Sequence, residues 1–448
     1  MQVVYPSCAG LDVHKKKVVA CRMQGEGAEG PRREVKTFST MTGELLALAD
    51  WLQEWGCTHV AMESTGDYWK PIFNVLEGSV EVLLVNAQHV KRVPGRKTDV
   101  RDAEWLADLL QHGLLKASFI PPAPQRDLRD LTRYRTTLVQ ERTRVVNRIQ
   151  KLLEGANIKL SSVASDTLGV SGRAMLEALV EGQTDATALA QLAKGRLRNK
   201  REALEHALTG FFRPHHRFLL SRLLTHLDFL HEQLETLSDA IATHIDGMSA
   251  PREEASQDPG GAPGDASSGA TDPPAAAPGL PLSPLQLLEL WDTIPGVDQR
   301  VGQVMLAELG PDMSRFPEAM NAAAWAGVAP GNNESAGKHY SSRTTKGSPA
   351  LRRVLIQAAW AAVRSRDTYL SALYHRLVPR RGKARAIVAV AHSILIAAYY
   401  MASRGEAYRD LGSTHFDERR KEAVAMRLSR RLERLGFTVT LLPQAVAA

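Results

Sequence analysis

Residues 249–284, SAPREEASQDPGGAPGDASSGATDPPAAAPGLPLSP, hold eight prolines, five glycines and no aromatic side chain. Such a stretch cannot bury enough apolar surface to offset the entropy of ordering it. It therefore divides the 448-residue chain, and pattern changes on either side give four segments: 1–120, 121–248, the linker 249–284, and 285–448. Within the linker one cation, Arg252, faces five acids. The whole chain carries +7, so setting aside the linker's −4 leaves +11 on the rest. That excess favours a polyanionic partner. With 44% apolar residues, a sizeable core is available and wholesale disorder is excluded.

The first segment alternates short Val-rich runs with helical spacing. Val18–Met23, Val35–Ser39, His59–Glu63 and Val80–Val85 read as strands, and Gly43–Trp55 and Asp102–Leu110 as helices. Two strands in succession followed by alternation with helices predict an α/β domain with a mixed sheet. Cys8, Cys21 and Cys57 form neither a disulfide framework nor a zinc motif.

In the second segment Leu131, Leu138, Val145 and Leu152 recur every seven residues, with Arg135 and Arg142 interrupting a second seam. A clearer heptad joins Leu220, Leu227, Leu234 and Ile241 to Leu223, Leu230 and Leu237. Both a coiled coil between chains and two core helices of one bundle have this pattern; the first would make the protein a homo-oligomer, a dimer or a tetramer. Beyond the linker the chain reads as mainly α. The start lacks the order of a signal peptide, and the apolar run Ala386–Ala402 is interrupted and short for a bilayer. The expectation is a cytoplasmic protein with no membrane partner.

Four acids of the first segment stand out. Asp12 lies before or within the first strand of a hairpin, Glu63 ends the run HVAME, and Asp99 and Asp102 sit three apart at a helix start, on one side of it. Several carboxylates gathered together would repel one another and raise their pKa values. Divalent cations such as Mg²⁺, which take hard oxygen ligands, relieve that repulsion and stabilise phosphodiester displacement. Taken singly, Asp99 and Asp102 also suit a helix cap, and Asp12 a turn beside Gly10.

In the last segment, Ser335 through Arg366 contains seven cations and no acid, among them Lys338, Arg343, Lys346, Arg352 and Arg353. A Gly- and Ser-rich loop running into a helix offers N–H groups and cations to phosphate; a solvated basic face reads the same way. Ser335, Ser341 and Ser342 are rival hydroxyls there, and a serine needs its proton removed to act as a nucleophile. Residues 290–310, LWDTIPGVDQRVGQVMLAELG, read as two helices turned by Pro295-Gly296, a hairpin able to offer amides to phosphate. On the first long helix, Arg129, Arg133, Arg142, Arg144 and Arg148 are either backbone contacts or the charged flank of the helix pair.

GLDVHKK, AMESTGDYW and GRKTDVRDAEWLADLL resemble the motif blocks of the DEDD insertion-sequence transposases, and AWAGVAPGNNESAGKHYSSRTTKGSPALRRVL resembles their C-terminal domain. The resemblance covers most of 8–115 and 288–402. It implies a Holliday-junction-resolvase-like (RuvC-like) domain of the ribonuclease H fold, with Asp12, Glu63, Asp99 and Asp102 as the acidic tetrad on Mg²⁺. It implies Ser335 as catalytic serine, and element and target DNA as substrates. A structured guide RNA, the bridge RNA, is implied as a partner that reads sequence by base pairing. A water-using metal nuclease, a transposase working by strand transfer from a 3′-hydroxyl, and a non-catalytic nucleic-acid scaffold are the competing readings.

Overall fold

The computed structural model describes residues 3–25, 31–63, 66–85, 99–249, 282–331, 333–335, 338–341 and 343–441, with backbone alone for 99–101, 333–335 and 338–341. Most of the proline-rich linker and Ser342 lie outside the described residues, as do the side chains of Asp99, Ser335, Lys338 and Ser341. The chain forms two compact units, Met1–Pro121 and Pro122–Ala448.

In the first unit β1 (Ser7–Val13), β2 (Lys17–Gln24) and β3 (Arg32–Ser39) form an antiparallel meander. After α1 (Thr42–Gln53), β4 (His59–Glu63) returns parallel to β1. After α2 (Trp69–Leu76), β5 (Glu81–Val85) lies parallel to β4; α3 (Asp99–Gln111) and the two-residue β6 (Ala117–Ser118) follow. The sheet order β3-β2-β1-β4-β5-β6, with this mixture of directions, is consistent with an α/β nuclease-like domain. The sequence reading found α1, α3 and the strands β2 to β5 but missed α2, and β1 is a full strand with Asp12 inside it.

Period-two alternation divides the sheet between two layers. Ala9, Leu11, Val18, Ala20, Val60 and Met62 pack with Leu48, Trp51 and Leu52 of α1 and Ile72 and Leu76 of α2. Cys8, Val19, Cys21 and Ala61 pack on the other face with Ala103, Ala107 and Leu110 of α3. Even-numbered residues of β1 therefore face α3.

Arg22 fixes α1 to the meander. It is 4% exposed, donates to the Trp51 carbonyl, Glu34 and Glu54, and stacks 4.2 Å from the ring centres of both Trp51 and Trp55. A buried guanidinium is tolerated when its donors are met and its planar faces are covered by aromatic rings.

The second unit begins with α4 (Ala123–Gly155). Short helices at Leu160–Val163, Val170–Glu181, Ala186–Gln191 and Arg201–Leu208 then lead into α5 (Pro214–Ser249). The long helices run antiparallel against each other: Arg142 Nε donates to His231 (2.7 Å), and His244 Nε2 stands 2.7 Å from the Pro124 carbonyl. The heptad seams are thus covered inside the chain, by each other and by the short helices. The polar interruptions have partners too, since Arg135 Nη1 donates to Gln303 Oε1 at 2.6 Å.

Beyond the linker come α6 (Pro284–Asp292), α7 (Gln299–Leu309) and α8 (Ala319–Trp325). They are followed by the hairpin β7 (Asn333–Ser335) and β8 (Lys338–Ser341), then α9 (Pro349–Ala362), α10 (Tyr369–Arg381) and α11 (Lys383–Arg404). Two terminal helices, α12 (His415–Glu418) and α13 (Lys421–Glu433), complete the unit. The loop expected around Ser335 is thus a small antiparallel ribbon in an otherwise α-helical region. Helix α11 has 22 residues and is long and apolar enough to cross a membrane; here Ala386, Ile387, Val390, Ala391 and Ile394 lie in the core of the unit. Charged turns at both ends extend it beyond the apolar run visible in sequence.

Candidate active site

Two acids of the first unit are brought side by side by strand pairing. Asp12 pairs with Val19, and Val19 packs in the α3 layer, so Asp12 lies on that face. In β4, Ala61 belongs to the same layer, and Glu63 is two residues on. Since Leu11 pairs with Met62, Asp12 and Glu63 fall next to each other at the C-terminal ends of two parallel strands. The first turn of α3 carries Asp99 and Asp102, and Ala103, next in the chain, packs in the same layer.

Gly10 sets how close α3 can come. A Cβ on Gly10 would stand 2.2 Å from the Ala103 carbonyl oxygen and 2.5 Å from the Ala107 nitrogen. Only a glycine allows helix backbone to rest directly on strand backbone here. Asp102 is the residue before Ala103, so this contact sets its height above Asp12.

Asp12 senses its neighbours. Burial pushes its carboxyl above the usual carboxylate range, with Asp102 and Glu63 adding in the same direction, while His14 pulls it down. His14 Nε2 lies 3.0 Å from Asp12 Oδ2. As donors, three carboxylates are the hard oxygen ligands that Mg²⁺ prefers, and their mutual repulsion is what a divalent cation would offset. Among the described residues no group of three His, Cys, Asp or Glu side chains is gathered closely enough to hold a metal ion; the fourth acid, Asp99, is described by backbone alone.

In the second unit Ser335 ends β7 and pairs across the ladder with Lys338; Glu334 pairs with His339. The ribbon stands on a close-packed base. Gly331 N donates to the Arg343 carbonyl (2.9 Å) and Thr345 N to that of Ala329 (3.2 Å). A Cβ on Gly347 would lie 2.2 Å from Gly327 N. Arg352 closes the base by donating to the Gly327 carbonyl and to Thr344 Oγ1. Arg343, Lys346 and Arg353 are exposed.

Residues 9–158 match the DEDD transposase family of IS110, and residues 288–375 match the transposase family IS116/IS110/IS902. The chain carries both transposase domains of the IS110 group. The first match takes in Asp12, Glu63, Asp99 and Asp102, and the second takes in Ser335. Two such domains support a DNA transposase, an enzyme acting on DNA. No curated protein matches the chain.

The arginines of α4 divide into two sets. Arg129, with 11% of its side chain exposed, donates to the carbonyls of Ala307 (2.8 Å) and Glu308 (2.6 Å). Those carbonyls end α7 and have no acceptor role inside it. Burial lowers the Arg129 pKa and draws Arg135 down to about 10. Arg133 grips the Glu308 carboxylate at 2.9 and 3.1 Å. These three arginines join α4 to α7. Arg144 and Arg148 are exposed, so the expectation of backbone contacts on α4 now stands on them.

Sequence reading gave no functional role to three further residues. Gly10 and His14 belong to the quoted GLDVHKK block, where the chemistry drew attention to Asp12 alone; Asp-x-His spacing was the available signal for His14. Glu308, on α7, is 1% exposed and accepts from Ser348 Oγ (3.0 Å) as well as Arg133. Its partners are 40 and 175 positions away, so no local pattern could reveal it.

Proposed function

We propose that the protein is a site-specific recombinase of an insertion sequence that cuts and rejoins DNA through a covalent link to Ser335. The observation carrying this reading is the placement of Asp12 beside Glu63 at the ends of two parallel strands, under the start of α3, within a chain that also contains the second transposase domain.

In this reading Asp12, Glu63, Asp99 and Asp102 would hold Mg²⁺, which would supply charge stabilisation for phosphodiester displacement. The Ser335 hydroxyl attacks phosphorus. An Oγ–P bond forms as one P–O bond of the strand breaks, the serine proton is lost, and the departing oxygen leaves as a hydroxyl. Rejoining reverses these changes with a new strand end, so no high-energy cofactor is consumed. Lys338, across the ladder from Ser335, and the exposed Arg343, Lys346 and Arg353 meet the phosphate charge. His14 orients the Asp12 carboxylate. The acids and the serine reside in different units, so the complete site is composite, within one chain or between protomers of a dimer or tetramer.

A structured guide RNA selects the DNA sequence by pairing, and exposed Arg144 and Arg148 meet its backbone. This leaves the protein reading phosphate and shape, in the cytoplasm where the element resides. A second reading, a metal nuclease using water, is favoured by one observation: all four acids belong to the first unit. Incubation with element DNA and its RNA, followed by a denaturing gel, separates the two. A protein–DNA adduct absent from Ser335→Ala supports the recombinase; cleavage without any adduct supports the nuclease.

A further inference from the structure

Where the second family match ends, at residue 375, α10 and the terminal helices enclose a groove of about 610 Å³. Arg376 and Arg380 line it from α10, and Arg420 and Arg427 from the terminal segment. All four are exposed. Among the described residues none of the four has a carboxylate within ion-pair distance, although Asp417 lies at the groove wall. Phe416 sits in the groove with the Arg376 guanidinium 4.8 Å from its ring centre, and His375 lies on the rim. A second hollow shares Arg427 and continues the charge along α13 through Arg430, Arg431 and Arg434.

Four unpaired guanidinium groups facing one hollow repel each other, an arrangement that an anion relieves. A single small anion could meet only some of them, whereas a strand places successive phosphates along the groove. Phe416, stacked on Tyr369 with ring centres 5.1 Å apart, walls the groove and holds Arg376 in place. We propose that this groove, at the C-terminal edge of the second matched domain, binds the backbone of a single nucleic-acid strand through residues other than the acids and the serine. The shared chemistry is the phosphodiester chain; DNA or RNA can supply it. The proposal goes beyond the serine chemistry and does not depend on it.

The test uses the full-length chain and fluorescence anisotropy with labelled single strands of about 20 nucleotides, one DNA and one RNA of the same sequence, across a salt titration. The comparison is the variant Arg376→Gln/Arg380→Gln/Arg420→Gln/Arg427→Gln. On the strand that the groove holds, affinity should fall by at least ~10-fold, and the salt slope should become shallower by about three, near 0.7 for each lost contact. Loss with DNA alone or RNA alone identifies the source. Equal affinity and equal slope with both strands would overturn the proposal, as would binding by the parent protein to phosphatidylserine vesicles but to neither strand. Should the fourfold variant melt early, Arg380→Gln and Arg427→Gln singly should each flatten the slope by about 0.7, and no change in either would be equally fatal. The Ser335 adduct is read on a separate gel, so failure of this proposal leaves that result intact.

Discussion

A Cβ on Gly10 would stand 2.2 Å from the carbonyl oxygen of Ala103, so strand β1 and helix α3 touch through their backbones. This contact places Asp102 over the strand that carries Asp12. Gly10→Ala should therefore damage both stability and catalysis. Overpacking of this type costs about 1–3 kcal/mol, and displacement of a reacting group by about 1 Å can cost on the order of 100-fold in rate. Thermal melts and DNA cleavage assays on the variant should show both losses; cleavage at the parent rate would mean that the contact does not position the acids.

Asp12→Asn and Glu63→Gln should each abolish Mg²⁺-dependent cleavage while leaving the melting temperature equal to or above that of the parent. Asp12 is burdened by burial and by its like-charged neighbours, so losing its charge relieves repulsion in the metal-free protein. Chelation of Mg²⁺ should stop cleavage by the parent as completely as either substitution. Persistent cleavage after chelation would remove the metal from the account.

The sequence showed the acids more readily than the devices that arrange them. Val-rich runs bounded by turn residues made the strands visible, and the i, i+3 spacing put Asp99 and Asp102 on one helix. Gly10 carried no such pattern, because its importance is a steric contact with a helix some ninety residues later. The heptads revealed two long helices but not that they cover one another, since seam periodicity is the same within a chain and between chains. Arg129 and Arg133 looked like phosphate ligands for a related reason: their partners on α7 are more than 170 residues away. The ribbon holding Ser335 is so short that turn composition outweighed any strand signal.

Glu308→Gln should loosen the second unit. The buried carboxylate accepts from Arg133 and Ser348 and lies 3.8 Å from Arg129 Nε. Arg133 is 48% exposed and can turn to water, but Arg129 stays buried and Ser348 loses its acceptor, so the cost should be about 1–3 kcal/mol. Replacing Arg144 by Gln, at an exposed position of α4, should change the melt by less than about 0.5 kcal/mol. Equal melts for the two variants would show that the Glu308 cluster contributes little.

Alkaline pH should weaken the first unit through its thiols. Burial raises Cys8 and Cys21 from 9.0 to about 12. Above pH 9.0 the unfolded thiols lose protons while the folded ones keep theirs, so stability is full below that value and declines towards pH 12. Melting temperatures measured over this window should fall less steeply for Cys8→Ala/Cys21→Ala than for the parent. Parallel curves would assign the decline to other groups.

The convergence of serine and acids on one phosphate is tested most directly by mass spectrometry of the protein after reaction with element DNA, its RNA and Mg²⁺, followed by nuclease and protease digestion. The account predicts a nucleotide remnant on the peptide containing Ser335, present in the parent and missing from Asp12→Asn. A remnant on a different residue, or one formed equally well without the Asp12 carboxylate, would contradict it.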